Sequence, residues 1–164
     1  MQTIVTENEI WEILEKVLDP EVPVLSVVDL GVVRAVKIIE DAVEVTITPT
    51  YSGCPAMNVI EINIKATLQA EGFNKVTVKT ILSPAWTTDW LSEAGKEKLR
   101  AYGIAPPMGR SIDEHALFGA ERKVACPQCN SSNTKMLSQF GSTACKALYK
   151  CNDCLEPFDY FKCL

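Results

Sequence analysis

Histidine is nearly missing from this chain: His115 is the single one. A nucleophile with a histidine base therefore has one candidate base, and sequence alone does not bring it to Cys54. No two carboxylates stand at a spacing that defines an acid/base pair. A Gly-rich phosphate loop and a dinucleotide fingerprint are both lacking, so kinase, hydrolase and oxidoreductase classes have no motif to rest on. Basic residues are few and scattered, with 16 Lys and Arg against 21 Asp and Glu and a net charge of −5. The densest basic stretch, Lys96 to Arg100, is interleaved with Glu97. Nucleic acid, which binds clustered Lys and Arg, is disfavoured as a partner. No apolar run approaches a membrane span. The start, Met1 to Glu7, has neither the basic nor the apolar part of a signal peptide, and the expected location is the cytoplasm.

What the chain has in quantity is cysteine, seven in 164 residues. In a reducing compartment these read as metal or redox chemistry rather than disulfides. Four of them form two pairs, Cys126-Pro127-Gln128-Cys129 and Cys151-Asn152-Asp153-Cys154, about one hairpin apart. Two such loops bring four thiolates to a tetrahedral centre at about 2.3 Å each. Segments 135–140 and 147–150 alternate like hairpin strands running between the two loops, which makes a zinc ribbon. Structural Zn²⁺ is the expected ion; mononuclear iron or an iron–sulfur cluster is the competing occupant, since thiolates hold those equally well. Cys145 and Cys163 are left over, as spare ligands, transfer thiols or buried side chains.

The rest of the chain alternates helix and strand patterns. Thr6 and Glu9 make a capping box, and Ile10, Ile13, Leu14, Val17 and Leu18 form one apolar stripe that stops before Pro20. Strands are expected at 32–39 and 43–48, with Val43, Val45 and Ile47 on one face and Glu44, Thr46 and Thr48 on the other. A helix over 55–70 ends at Gly72, a strand covers 75–82, and a third helix over 92–102 closes at Gly103. The expected fold is α+β: a small mixed three-stranded sheet, mostly antiparallel, packed on helices and followed by the ribbon. The division is 1–103 for the first domain, 104–123 for a Pro- and Gly-bearing linker, and 124–164 for the ribbon.

Between strand and helix lies Thr48-Pro49-Thr50-Tyr51-Ser52-Gly53-Cys54-Pro55. Pro55 at the first helical position sets Cys54 close to the N-cap, where free N–H groups and the helix dipole favour negative charge. Gly53 allows close backbone approach, and Thr50, Tyr51 and Ser52 supply hydroxyls. Cys54 is thus a candidate nucleophile or metal ligand, against the plainer reading of a small buried side chain in a helix-entry turn. Asp19, Glu21 and Asp29 sit on a proline-constrained loop, where turn and cap chemistry outweighs metal binding.

Several motifs resemble a known family. Asp19-Pro20-Glu21-Val22-Pro23-Val24-Leu25, Asp29-Leu30-Gly31-Val32-Val33-Arg34 and the segment from Thr48 to Pro55 are similar to the iron–sulfur-assembly domain found in metal–sulfur cluster biosynthetic proteins. With Pro84-Ala85-Trp86-Thr87-Thr88-Asp89-Trp90, the run from Phe140 to Tyr149 and the closing Glu156 to Cys163, the whole resembles the PaaD family of bacterial phenylacetate degradation. The resemblance implies an accessory protein that matures iron–sulfur centres of the phenylacetyl-CoA ring-epoxidising oxygenase rather than performing the oxygenation. Its implied client is the reductase or another oxygenase component. The family's reactive cysteine falls on Cys54, as a site for transient iron or cluster handling, and its acidic loop on Asp19 and Glu21. The alternative is a non-catalytic scaffold subunit of that oxygenase with a purely structural zinc site. Self-association is left open.

Overall fold

The structure is a computed structural model describing residues 6–108 and 123–162. His115, Cys163 and most of the expected linker lie outside the described residues. Two compact units divide between Trp86 and Thr87.

The first unit opens with α1, Glu7–Leu14. Its capping box is present: Thr6 Oγ1 accepts from the Glu9 N–H at 3.4 Å, and the Thr6 N–H donates to Glu9 Oε2 at 2.7 Å. The helix is shorter than its stripe suggests. Lys16 and Val17 bond three residues back, tightening the last turn, and Leu18 then bridges to Ser26 in an extended conformation. That pairing turns Leu18 outward, 47% exposed, while Ile10, Leu14 and Val17 stay buried.

Strands β1 (Val33–Ile39), β2 (Ala42–Ile47) and β3 (Lys75–Thr80) form a three-stranded sheet in that order. β1 and β2 are an antiparallel hairpin, whereas β3 runs parallel to β2. A parallel neighbour needs a crossover, supplied by the 15-residue helix α2 (Ala56–Ala70). The sheet is therefore mixed, as expected, but not mostly antiparallel: it has one interface of each kind. Val43, Val45 and Ile47 face the core; α2 presents Ala56, Ile60, Ile64 and Leu68, one residue per turn and all buried. Truncating Ile64 to Ala should cost about 3 kcal/mol of first-unit stability in denaturant titrations, the usual loss for a buried Ile. A loss below about 1 kcal/mol would show that α2 is not seated as described.

The second unit begins with a 3₁₀ turn at Thr88–Trp90 and continues into α3, Glu93–Tyr102. Ser92 Oγ caps it by accepting from the Gly95 N–H at 2.8 Å, and Gly103 ends it with φ 91°, a left-handed value that costs glycine least. The element pattern groups α3 with the first domain. It belongs to the second unit because the chain leaves Gly103 directly into β4 (Ile104–Ala105), which pairs in parallel with β7 (Pro157–Phe161). β4 thus occupies the first two residues of the expected linker.

The ribbon sheet has the order β4-β7-β6-β5, with β5 at Thr134–Ser138 and β6 at Lys146–Cys151. Its core gathers Ala105, Val124, Cys126, Ala147, Tyr149, Cys151, Phe158 and Tyr160. The Tyr149 ring lies 5.9 Å from Phe158 and 5.7 Å edge-on from Tyr160. These aromatics, with buried Phe161, fill the ribbon rather than face solvent. Among the described residues no helix is long and apolar enough to cross a membrane.

Candidate metal centre

The two Cys-x-x-Cys loops are built alike. In each, the residue after the second cysteine is left-handed: Asn130 at φ 61° and Leu155 at φ 65°. That conformation folds the chain back so that the next N–H, of Ser131 or Glu156, turns to the second cysteine of its loop. The Ser131 N–H bonds Cys129; those of Cys154 and Asp153 bond Cys151; that of Glu156 bonds Cys154. The first loop is closed further by the Asn130 N–H to Cys126 O and the Cys126 N–H to Ser131 O, both 2.9 Å.

The β5–β6 hairpin sets the loops face to face. Cys126 Sγ lies 3.7 Å from Cys154 Sγ, Cys129 Sγ lies 3.5 Å from Cys151 Sγ, and all four sulfurs fall within 4.8 Å of one another. Four ligands at about 2.3 Å from a tetrahedral ion would stand about 3.8 Å apart. The donor set fits a four-coordinate metal. Cys126 and Cys151 are buried, Cys129 and Cys154 exposed.

The thiols are not equivalent without an ion. The Cys154 N–H, aided by that of Asp153, outweighs burial and brings Cys151 down to about 7. At Cys154 the Glu156 N–H pulls downward, but local desolvation beside the packed sulfurs and the thiols of Cys129, Cys151 and Cys126 win and push it up to about 12. Cys129 likewise ends above its ordinary value: the Ser131 N–H lowers it, while burial, Cys151 and Cys126 raise it more. Cys151 is thus the thiol that gives up its proton most readily, and the hydrogen bonds it accepts from Cys129 and Cys154 hold their protons in place. A bound cation removes that difference, because coordinating thiols are deprotonated outright.

The remaining candidates lie elsewhere. Cys54 is half-buried in the first unit, in the turn before α2. Pro55 takes the N-cap position rather than the first helical one and offers no side-chain cap, and no acidic residue stands in the first turn. The first turn of α2 thus has neither a side-chain cap nor an acidic residue, and its Met57 N–H donates to the Cys54 carbonyl at 3.3 Å. Gly53 adopts φ 80°, the left-handed value its loop requires; Ser52 and Gly53 are exposed and Thr50 half-buried. Thr48, expected on the outer face of β2, is instead 1% exposed, and its Oγ1 has no hydrogen-bond partner. The strand ends at Ile47, so the alternation does not reach it. This orphaned hydroxyl gave no signal in the sequence.

In the acidic loop Asp19 is buried, and its Oδ1 accepts from the Glu21 and Val22 N–H groups at 2.8 and 2.7 Å. Glu21 is half-buried. Asp29 Oδ2 accepts from Ser26 N–H and Oγ–H, while Ser26 Oγ accepts from the Asp29 N–H at 2.9 Å. Both aspartates hold their own loop together. Cys145 is buried just before β6, outside the quartet, with Sγ 3.1 Å from Thr143 Oγ1. Near it the Lys162 ammonium is held below its ordinary value by burial, against an opposing pull from Cys145.

Comparison with known proteins agrees with this two-part build. Residues 7–80 match the model of the iron–sulfur cluster assembly protein family, and residues 110–162 match that of the PaaD zinc beta ribbon domain. A putative 1,2-phenylacetyl-CoA epoxidase subunit from Escherichia coli (strain K12) is 48% identical over 96% of this chain and 93% of its own length. The chain belongs to the PaaD family. An Fe-S protein maturation auxiliary factor of Porphyromonas gingivalis is 36% identical over 54% of this PaaD-family chain and 85% of its own. The crystal structure of a DUF59 domain from Bacillus anthracis, 31% identical, aligns with a TM-score of 0.53 over 57% of this chain and 90% of that one. Each of those two relatives covers little more than half of this PaaD-family chain.

Proposed function

We propose that the chain is an accessory factor that matures iron–sulfur centres of a phenylacetyl-CoA ring-epoxidising oxygenase, with the reductase component as client. In this reading Cys54 transiently holds iron or a cluster as cargo, and the four-cysteine site holds Zn²⁺ for structure. The observation that carries the reading is Cys54 next to the start of α2, which has no side-chain cap, in the part that matches the iron–sulfur assembly model. A thiolate there can take an iron ion, with the amide donors of the first turn offsetting its charge, and release it to a client thiolate by ligand exchange. Glu21, Thr50, Ser52 and Gly53 are the functional-loop residues of this reading, and Asp19 orders the acidic loop. Zinc suits the quartet because a closed four-thiolate centre needs no open coordination position and no redox change.

The test is Cys54→Ser in the full chain. Anaerobic reconstitution with iron and sulfide should give the wild type a visible absorbance that the variant loses, and client activation should fall at least about tenfold. Serine keeps the shape but is a poor ligand for iron. Activation at the wild-type rate removes Cys54 from the mechanism. A second reading, a scaffold subunit, draws support from the Escherichia coli relative's being named a putative epoxidase subunit. It requires stable co-purification with the oxygenase components and no loss of function for any cysteine outside the quartet.

A further inference from the structure

Outside the four sulfurs, the two loops are joined by side chains. Ser131, two residues past Cys129, donates its hydroxyl to Asp153 Oδ2, and Asp153 lies between Cys151 and Cys154. Asp153 Oδ1 accepts from Asn133 Nδ2 at 2.7 Å. Asn133 in turn accepts from Asn152, at Oδ1 from the side-chain amide at 3.0 Å and at O from the backbone N–H at 2.8 Å. Ser131 Oγ also accepts the Asn133 N–H at 3.0 Å. Both carboxylate oxygens of Asp153 are therefore engaged, each by a residue of the opposite loop.

The backbones of these two residues are themselves donors to the metal ligands. The Ser131 N–H bonds Cys129 Sγ in one loop, and the Asp153 N–H bonds Cys151 Sγ in the other. The Ser131–Asp153 contact thus links two N–H···S bonds that belong to different loops. Handing the ion to a chelator breaks the sulfur bonds of one loop and lets the two loops part, and the Ser131–Asp153 and Asn133–Asp153 contacts are what that parting must break. We infer that Ser131 and Asp153 form an outer clasp that couples the two cysteine loops and slows release of the metal. They act through the cysteines, as positioning residues. Polar partners of this kind orient ligands in metal sites, and their loss typically weakens the site by a factor of 10–100. Ser131, Asn133, Asn152 and Asp153 are water-accessible, so the clasp adds little to folding itself and acts mainly on opening.

The inference rests on the metal reading of the quartet, and the full-length chain loaded with Zn²⁺ or Co²⁺ tests both. Transfer of Zn²⁺ to excess chelator should be about tenfold faster in Ser131→Ala and in Asp153→Ala. The double variant should release no faster than the quicker single, since both break the same bond. Ser131→Thr, which keeps the hydroxyl, should restore slow release; Asn133→Ala, which frees only Oδ1, should fall between. Co²⁺ bands typical of a tetrahedral four-thiolate site confirm that each variant still assembles the centre, and Asn133→Ala carries the test if Asp153→Ala does not. Release at the wild-type rate in the single variants, or a double-variant effect equal to the product of the singles, overturns the clasp and leaves the metal site standing. Failure of the wild type to bind stoichiometric metal overturns both.

Discussion

Removing the metal from the full chain is expected to unfold the ribbon, 123–162, and to leave a separate transition for the first unit. The ribbon's core is small: among the described residues it is one cluster of eight, with Phe161 also buried, and two of the eight, Cys126 and Cys151, belong to the four-cysteine group. β5 adds almost nothing, because every residue after Thr134 in that strand is exposed. A core of this size does not offset chain entropy alone, and metal binding supplies on the order of 10 kcal/mol to such modules. Chelation, or Cys151→Ser, should collapse the near-ultraviolet signal of Tyr149, Phe158 and Tyr160 and open the segment to proteases. Ile10, Leu25, Ile47 and Leu68 belong to another core and should keep their protection in hydrogen exchange. A ribbon that stays folded after metal loss, with its thiols reduced, would show that the quartet is not its staple.

The second large effect is expected at Trp86. Its ring is buried in the first unit, and Nε1 donates to the Leu30 carbonyl at 2.9 Å. That bond fastens the segment after β3 to the turn between Asp29 and Gly31, joining two stretches 56 residues apart. Trp86→Phe keeps most of the apolar contact but strands a buried carbonyl, at a cost of about 2 kcal/mol. Trp86→Ala also leaves a cavity and should cost about 4 kcal/mol. Denaturant titrations followed by far-ultraviolet circular dichroism measure both. If the Phe variant is as stable as the wild type, the indole bond contributes nothing and the fastening is by packing alone.

Much of this architecture is legible in the sequence where the signal is local. The Thr6–Glu9 box, the Ser92 and Gly103 ends of α3, the one-per-turn spacing in α2 and the paired cysteines each depend on residues a few positions apart. The family resemblance also holds, since both halves match the models it implies. Non-local features stay hidden. The parallel β2–β3 pairing is set by how α2 packs, not by any pattern within the strands. β4 has two residues, too few to show a period, and so reads as linker. Thr48 looks like one more outward residue until the strand ends one position earlier. The clasp is invisible because Ser131, Asn133 and Asp153 look like ordinary turn residues, and only the hairpin register brings them together.

The pairing of β4 with β7 also sets where this protein can be cut. Starting the ribbon at residue 124, where the cysteine-rich part begins, discards Ile104 and Ala105 and leaves the backbone of Asp159 and Tyr160 without its neighbour strand. The remaining piece would carry an open sheet edge, a template for pairing with other chains. A transplantable unit therefore begins before α3, near Thr87, and the helix travels with the metal site. Modularity here follows the sheet, not the cysteines.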